Sequence, residues 1–228
     1  MTEIKKFTET DFEFNEVTKL FNLVSHDDKE HVDDMKEGWA VRDKSLQRER
    51  FLLYDDDTVL GFLGYAQGRG ENHRNCYFNI YLDPDYNGNG YRKLLYARML
   101  QDIQTFDCNR LYADIYEHPN YDQFKKFLLE NKFHIGLKIR ESSLDLESVN
   151  LTEYSSLLKK LDSKGIKFYD AKNEMKDFPN HYEKLEELGW IFGKDFPMPE
   201  GIVHTREPFE QFIKFQKLII LMDGGIQL

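Results

Sequence analysis

The sequence is poor in cysteine, in positive charge and in long apolar runs. Cys76 and Cys108 are the only cysteines among 228 residues. Neither falls in a metal or redox spacing, which argues against a disulfide framework and a thiolate zinc site and predicts two reduced thiols in a cytoplasmic protein. Lys and Arg total 31 against 41 Asp and Glu, a net charge of −10. That balance provides no electrostatic footprint for nucleic acid and favours cationic partners. The apolar run Leu218–Met222 is far too short to span a bilayer, and no signal peptide opens the chain. No metal site is expected: His26 and His31 bracket Asp27, Asp28, Lys29 and Glu30, a pattern that suits the acidic start of a helix better than a ligand set.

Aromatics, by contrast, are abundant. Eighteen Phe and thirteen Tyr imply a packed globular core rather than disorder. The most informative stretch is Asp83–Leu100, DPDYNGNGYRKLLYARML. Before it, Cys76, Phe78, Ile80 and Leu82 alternate with Tyr77, Asn79 and Tyr81, the period of a strand with one buried face. After it, Tyr91, Leu94, Leu95, Met99, Ile103 and Phe106 recur at helical spacing. Gly88 and Gly90 allow positive φ and a close backbone approach. Strand, glycine turn and helix together present free N–H groups at the positive end of a helix dipole, which suits a phosphate. Arg92 and Lys93 can add charge-assisted contacts. The letters DPDYNG also match the first half of a calcium loop, but its twelfth position is Leu94 where a bidentate Glu is required. A plain tight turn accounts for the glycines equally well.

Along the chain, Glu3–Phe7 is expected as a strand and Phe12–Leu23 as a helix with Phe12, Val17, Leu20 and Phe21 inward. Lys29–Trp39 forms a second, acidic helix. Glu49–Tyr54 and Val59–Ala66 form a hairpin through Asp55–Thr58. Leu111, Ala113 and Ile115 alternate in a strand ending near Glu117. Asn120 is expected to cap the next helix, with Gln123 in the capping-box position and Phe124, Phe127 and Leu128 inward. Phe133, Ile135, Leu137 and Ile139 are expected to form a further strand. The order specifies an α/β fold, a mixed central sheet flanked by helices.

That order, with the letters of the turn, resembles the GNAT superfamily of acetyl-CoA-dependent N-acyltransferases over residues 1–142. The family carries Pro and then Gln/Arg-x-x-Gly-x-Gly/Ala at its pyrophosphate turn. Here Leu82-Asp83-Pro84 ends the strand, Asn87 stands in the Gln/Arg place, Gly90 matches, and Arg92 replaces the final small residue. Asn120 to Phe133 resembles the second helix-to-strand segment of the family, with Lys132 in place of its Gly and Leu128 in place of its general-acid Tyr.

The resemblance implies direct attack of an amine on the acetyl thioester, with acetyl-CoA as co-substrate. Asn87, Gly88, Asn89, Gly90, Tyr91 and Arg92 would hold the pyrophosphate. Ile80 and Leu82 would flank the pantetheine arm, with an oxyanion N–H near Leu82, and Asn120 would face the cofactor. Glu117, at a strand end, is the first choice as base, through a water if needed, with Tyr116, Tyr81 and His118 in reserve. The partner would be a small-molecule or peptide amine, and a homodimer stays open. A catalytically silent CoA-binding or interaction module is the alternative that Arg92 and Leu128 motivate, and a purely structural dimer-forming protein is a third.

Residues 143–228 follow without a linker rich in Pro, Gly or Ser. Tyr154, Leu157, Leu158 and Leu161 recur at helical spacing up to Gly165, and Ile166–Tyr169 reads as a short strand. Tyr182, Leu185, Leu188 and Trp190 suggest another helix, and Thr205 is expected to cap a last one. Arg140–Asp145 and Gly165-Ile166 are similar to the junction and second-domain start of tandem GNAT proteins. A partial second GNAT-like unit, or a smaller α/β accessory domain serving as a substrate-side wall, is therefore expected over 143–228, with no second glycine turn.

Overall fold

The computed structural model describes residues 1–25, 29–105, 107–140, 142, 145, 149–167 and 180–222. Five strands lie in sequence order across one sheet: β1 (Thr2–Lys6), β2 (Arg48–Asp55), β3 (Thr58–Gln67), β4 (Asn75–Leu82) and β5 (Arg110–Tyr112). The first four pair antiparallel, while β5 runs parallel to β4. Helices α1 (Asp11–Val24) and α2 (Val32–Ala40) cover one face; α3 (Tyr91–Ile103) and α4 (Asp122–Glu130) cover the other.

Alternation along the strands sends side chains to two separate cores. Phe51, Leu53, Leu63, Tyr65, Phe78, Ile80 and Leu82 pack on Leu95 and Met99 of α3 and on Phe124, Phe127 and Leu128 of α4. Leu52, Tyr54, Val59 and Phe62 pack on Phe14, Val17 and Leu20 of α1 and on Trp39 of α2. Helix α1 opens with a full capping box: Glu13 N–H donates to Thr10 Oγ1 at 3.3 Å, and Glu13 Oε2 accepts from Thr10 N–H at 3.1 Å. This start puts Phe14, not Phe12, on the core face; Phe12 is 52% exposed, against the expectation.

Two further expectations need correction. Residues 133–140 form no strand, and Ile135 and Ile139 are exposed. A strand there would need the free edge of β5, but β5 ends at Tyr112 and leaves no ladder to extend. Helix α4 starts at Asp122 behind a 3-10 turn, Pro119–Tyr121, and no side chain caps it. Asn120 therefore does not cap this helix.

Beyond residue 142 the described residues form α5 (Ser155–Ser163), α6 (His181–Gly193) and α7 (Phe209–Met222), with no strand among them. Gly165 ends the α5 region at φ 73°. The expected strand at 166–169 is irregular at 166–167 and otherwise lies outside the described residues. Thr205 precedes α7 by four residues and does not cap it. This region docks on β4, β5, the β3–β4 connection and the end of α2 through polar contacts. Asn72 Nδ2 donates to Val203 O at 2.6 Å, Asn75 Nδ2 to Gly201 O at 3.1 Å, Tyr112 Oη to Glu200 O at 2.8 Å, and Gln211 Nε2 to Val41 O at 2.7 Å.

Candidate active site

Strands β4 and β5 stay paired for three residues only, Asn75–Tyr77 against Arg110–Tyr112, while β4 continues to Leu82. Which β4 peptide groups this leaves open follows from the other side of the strand. Asp83 N–H donates to Leu60 O, and Asn75 O accepts from Gly68 N–H. Odd-numbered residues of β4 thus turn their peptide groups to β3, and even-numbered ones turn theirs to β5. Past Tyr77 the peptide groups of Ile80 and Leu82 face the side from which β5 has departed. Their side chains meanwhile are buried against α3 and α4.

The glycine turn follows at the end of this open edge. A short 3-10 turn, Pro84–Tyr86, is capped by Asp83, whose carboxylate accepts from Asp85 N–H at 3.0 Å. Gly88 and Gly90 then adopt φ of 91° and 83°, the left-handed region, and a methyl group placed on either would meet no atom within 4 Å. The turn therefore needs glycine for its backbone and keeps open space over it. Gly90 is the N-cap of α3 without a side-chain cap, and the first helical hydrogen bond is Leu94 N–H to Gly90 O. The N–H groups of Tyr91, Arg92 and Lys93 thus project from the helix start toward the open side of the turn. This cradle fits the pyrophosphate of CoA: bare backbone, three N–H donors and the positive dipole end.

Arg92 reaches back to the start of the turn. Its Nη2 donates to Asn87 Oδ1 at 3.1 Å, and its guanidinium lies 5.6 Å from the centre of the Phe124 ring. Its Nε is buried without an acceptor among the described residues, and burial lowers its pKa.

Other residues flagged in the sequence lie apart from the turn. Asn120 Nδ2 donates to Val24 O at 3.1 Å, tying the approach to α4 to the end of α1. Glu117 is exposed and ion-paired with Lys138 at 2.7 Å and Lys125 at 3.7 Å; Lys138 foremost holds its carboxyl below the usual range. Tyr81 is stacked on Phe62 and edge-on to Phe21, and burial raises its pKa. Tyr116 packs on Tyr121 with ring centres 5.5 Å apart, and both phenols sit close enough to Tyr81 to raise its pKa further. Tyr121 was not foreseen; its only sequence signal is its place beside Asn120 at the entry to α4. Leu128 is buried in the core and offers no proton. No group of described residues can hold a metal ion, and no described helix is long and apolar enough to cross a membrane.

A family model described as the acetyltransferase (GNAT) family matches residues 12–125. The chain belongs to this family. The matched span runs from α1 to the start of α4 and so contains the open β4 edge and the glycine turn. Among solved structures, yncA of Salmonella typhimurium, determined with its cofactor acetyl-CoA, is similar at 14% identity and a TM-score of 0.50, over 64% of this chain and 86% of that one. A ribosomal-protein-alanine N-acetyltransferase from Brucella melitensis is similar at 15% identity and 0.48, over 63% and 100%. A tandem GNAT protein from the clavulanic acid biosynthesis pathway gives 15% and 0.48, over 57% and 43%. At these identities the likeness is one of fold. No curated protein matches the sequence. Membership makes this GNAT protein an acetyltransferase with acetyl-CoA as its co-substrate.

Proposed function

We propose that this GNAT protein transfers the acetyl group of acetyl-CoA to an amine by direct attack. The carrying observation is the early parting of β4 and β5, which leaves the Ile80 and Leu82 peptide groups open directly before the turn at Gly88 and Gly90.

On this reading the N–H groups of Tyr91, Arg92 and Lys93 hold the pyrophosphate, with Asn87 and Asn89 shaping the turn and Arg92 supplying charge. Ile80 and Leu82 flank the pantetheine, and the Leu82 N–H meets the developing oxyanion. An ammonium must first lose one proton to become the nucleophilic amine; when its nitrogen then bonds to the carbonyl carbon and the C–S bond breaks, a second proton leaves nitrogen and one reaches sulfur. Most of the rate then comes from holding the reactants together rather than from a strong base. Glu117, kept ionised by Lys138 and Lys125, is suited to draw an ammonium and take its proton through water; its lowered pKa makes it a weak base. Because Leu128 is buried, the proton for sulfur is assigned to the phenols of Tyr81, Tyr116 and Tyr121 or to solvent. Asn120 acts through its tie to Val24, by positioning α1 against the open edge. Residues 200–211, docked at Asn72, Asn75, Tyr112 and Val41, form the wall on the acceptor side, and 143–228 act as an accessory part of the site.

The test is CoA release from acetyl-CoA with a broad panel of small amines and peptides. Release that depends on the amine, with the acetylated amine found by mass spectrometry, is expected. Tight CoA binding with no release from any amine would instead identify a silent CoA-binding module.

A further inference from the structure

On the sheet face opposite α3, two buried N–H donors have no acceptor among the described residues: Nε1 of Trp39 and Nη1 of Arg50. The two groups touch. The Arg50 guanidinium lies 3.9 Å from the centre of the Trp39 ring, and that of Arg42 lies 3.8 Å from it. Arg42 is satisfied by Trp39 O at 2.6 Å and Glu9 at 3.0 Å; Arg69 pairs with Asp43 and Glu207, both at 3.0 Å, although its Nε too is buried without an acceptor among the described residues. Arg50, and Arg48 two residues before it on the same strand face, have no carboxylate partner among the described residues. Burial, then the charge of Arg48, lowers the Arg50 pKa from 12.5 to about 10. Arg50 is half-buried and Arg48 exposed; a partly buried cation without a counter-charge is destabilising, and such groups cluster where a ligand completes them. It is the more notable in a chain with net charge −10.

The position of Arg50 relates it to the open edge. Arg50 pairs across β2 and β3 with Gly64, and Gly64 pairs with Asn79 of β4, so the Arg50 and Asn79 backbones are about two strand spacings apart, ~10 Å. Gly64 leaves this row without a central side chain, and the Phe62 ring leans into the space: a methyl group on Gly64 would lie 2.9 Å from Phe62 Cζ. The Arg50 guanidinium is 5.8 Å from the Phe62 ring centre, and Phe62 stacks on Tyr81 at 5.6 Å. Trp39, Arg50, Phe62 and Tyr81 therefore form a continuous ladder from α2 to the β4 edge where Ile80 and Leu82 are open. The turn at Gly88 and Gly90 belongs to α3, on the other face; α1 and α2 cover most of the face bearing Arg50, and it reaches solvent at partly exposed Arg50 and exposed Arg48, which is the side open to an acceptor.

We infer that Arg50, with Arg48 beside it, binds an anionic group on the acceptor, so that the substrate is an amine carrying a carboxylate or a phosphate. The inference rests on the acetyltransferase reading, which supplies the second substrate. The anion meets the partly exposed Arg50 and exposed Arg48 from solvent and supplies the counter-charge that Arg50 lacks, and the Phe62–Tyr81 stack sets how far from that anion the amine must lie.

The experiment titrates acetylated products into the protein, with and without saturating CoA. The probes are N-acetylglycine, N-acetyl-L-aspartate and N-acetylphosphoethanolamine, against the neutral N-acetylglycinamide and N-acetylethanolamine. At least one anionic probe is expected to bind at least tenfold more tightly than its neutral counterpart, and whether carboxylate or phosphate wins identifies the group. Arg50→Gln should weaken that probe about 10–100-fold, the range for a lost charged hydrogen bond, and leave the Kd for acetyl-CoA within twofold. Equal binding of neutral and anionic probes, no binding of any anionic probe, or no effect of Arg50→Gln overturns the inference. Should Arg50→Gln not fold, Arg48→Gln and the wild-type pairs still decide it. Protein that binds an anionic probe but no CoA would contradict the acetyltransferase reading and leave the anion site standing.

Discussion

Arg92 Nη2 donates to Asn87 Oδ1 at 3.1 Å, closing the two ends of the glycine turn over each other. The pair holds the guanidinium against the face of Phe124 rather than over the open backbone at Gly88 and Gly90. A cation replaces the small residue of the family pattern here without filling the cradle.

The first prediction follows from that geometry. Arg92→Ala should weaken acetyl-CoA about tenfold, because a charge-assisted contact to the pyrophosphate is lost. Asn87→Ala, which only frees the guanidinium, should have a smaller effect. Fluorescence or calorimetric titration of both variants checks the order; equal losses would mean that Arg92 acts only through the shape of the turn.

The next concerns stability at α4. Lys132 has φ 67° at the position after the helix end, with Phe133 N–H bonded to Leu128 O and Lys132 N–H to Leu129 O. This is a Schellman closure, which favours glycine because a side chain in the left-handed region is strained. Lys132→Gly should therefore stabilise the protein by about 0.5–1 kcal/mol in urea unfolding, since relief of strain exceeds the entropy gained by the unfolded chain.

Glu117 is tied chiefly to Lys138, which lowers its pKa below 4.5. Lys138→Gln removes the leading cause, so the Glu117 pKa should rise, as carbon-detected carboxyl titration can read. The sign for stability follows. The depressed pKa gives a contribution present above the unfolded value and lost as pH falls through the folded one, so the variant should lose less on acidification. The pair is exposed, so the effect should shrink with salt. If Glu117 takes the amine proton through water, Glu117→Gln lowers kcat with an unchanged KM for acetyl-CoA.

Burial pushes the Cys76 thiol up to about 12 and raises that of Cys108 as well. Neither thiol is ionised at neutral pH, and direct transfer needs neither. Iodoacetamide at pH 7.5 should leave activity intact, and initial-rate patterns should show no acetyl-enzyme intermediate. Parallel double-reciprocal lines would contradict direct attack.

Strands, helices and the turn were legible where the periodicity was local. Cys76–Leu82 and Tyr91–Ile103 each carry their own alternation or helical spacing, and Gly88 and Gly90 mark the backbone between them. Ile135 and Ile139 show the limit: alternation predicts a strand only where a neighbouring edge exists to pair it, and β5 ends too early to provide one. Asn120 shows another, because a residue suited to capping instead found the carbonyl of Val24, 96 positions away. The parting of β4 from β5 and the Trp39–Arg50 contact had no local signal, since each depends on residues distant in sequence.

The central claim is that the turn at Gly88 and Gly90 cradles the pyrophosphate of CoA. Isothermal titration of acetyl-CoA into wild-type protein and Gly90→Val tests it most directly. Valine at φ 83° forces the turn out of its left-handed conformation and fills the open side. The account predicts saturable binding by the wild type, lost at least tenfold in a variant that still melts cooperatively. Equal affinity in both proteins, or no binding by folded wild type, would contradict it.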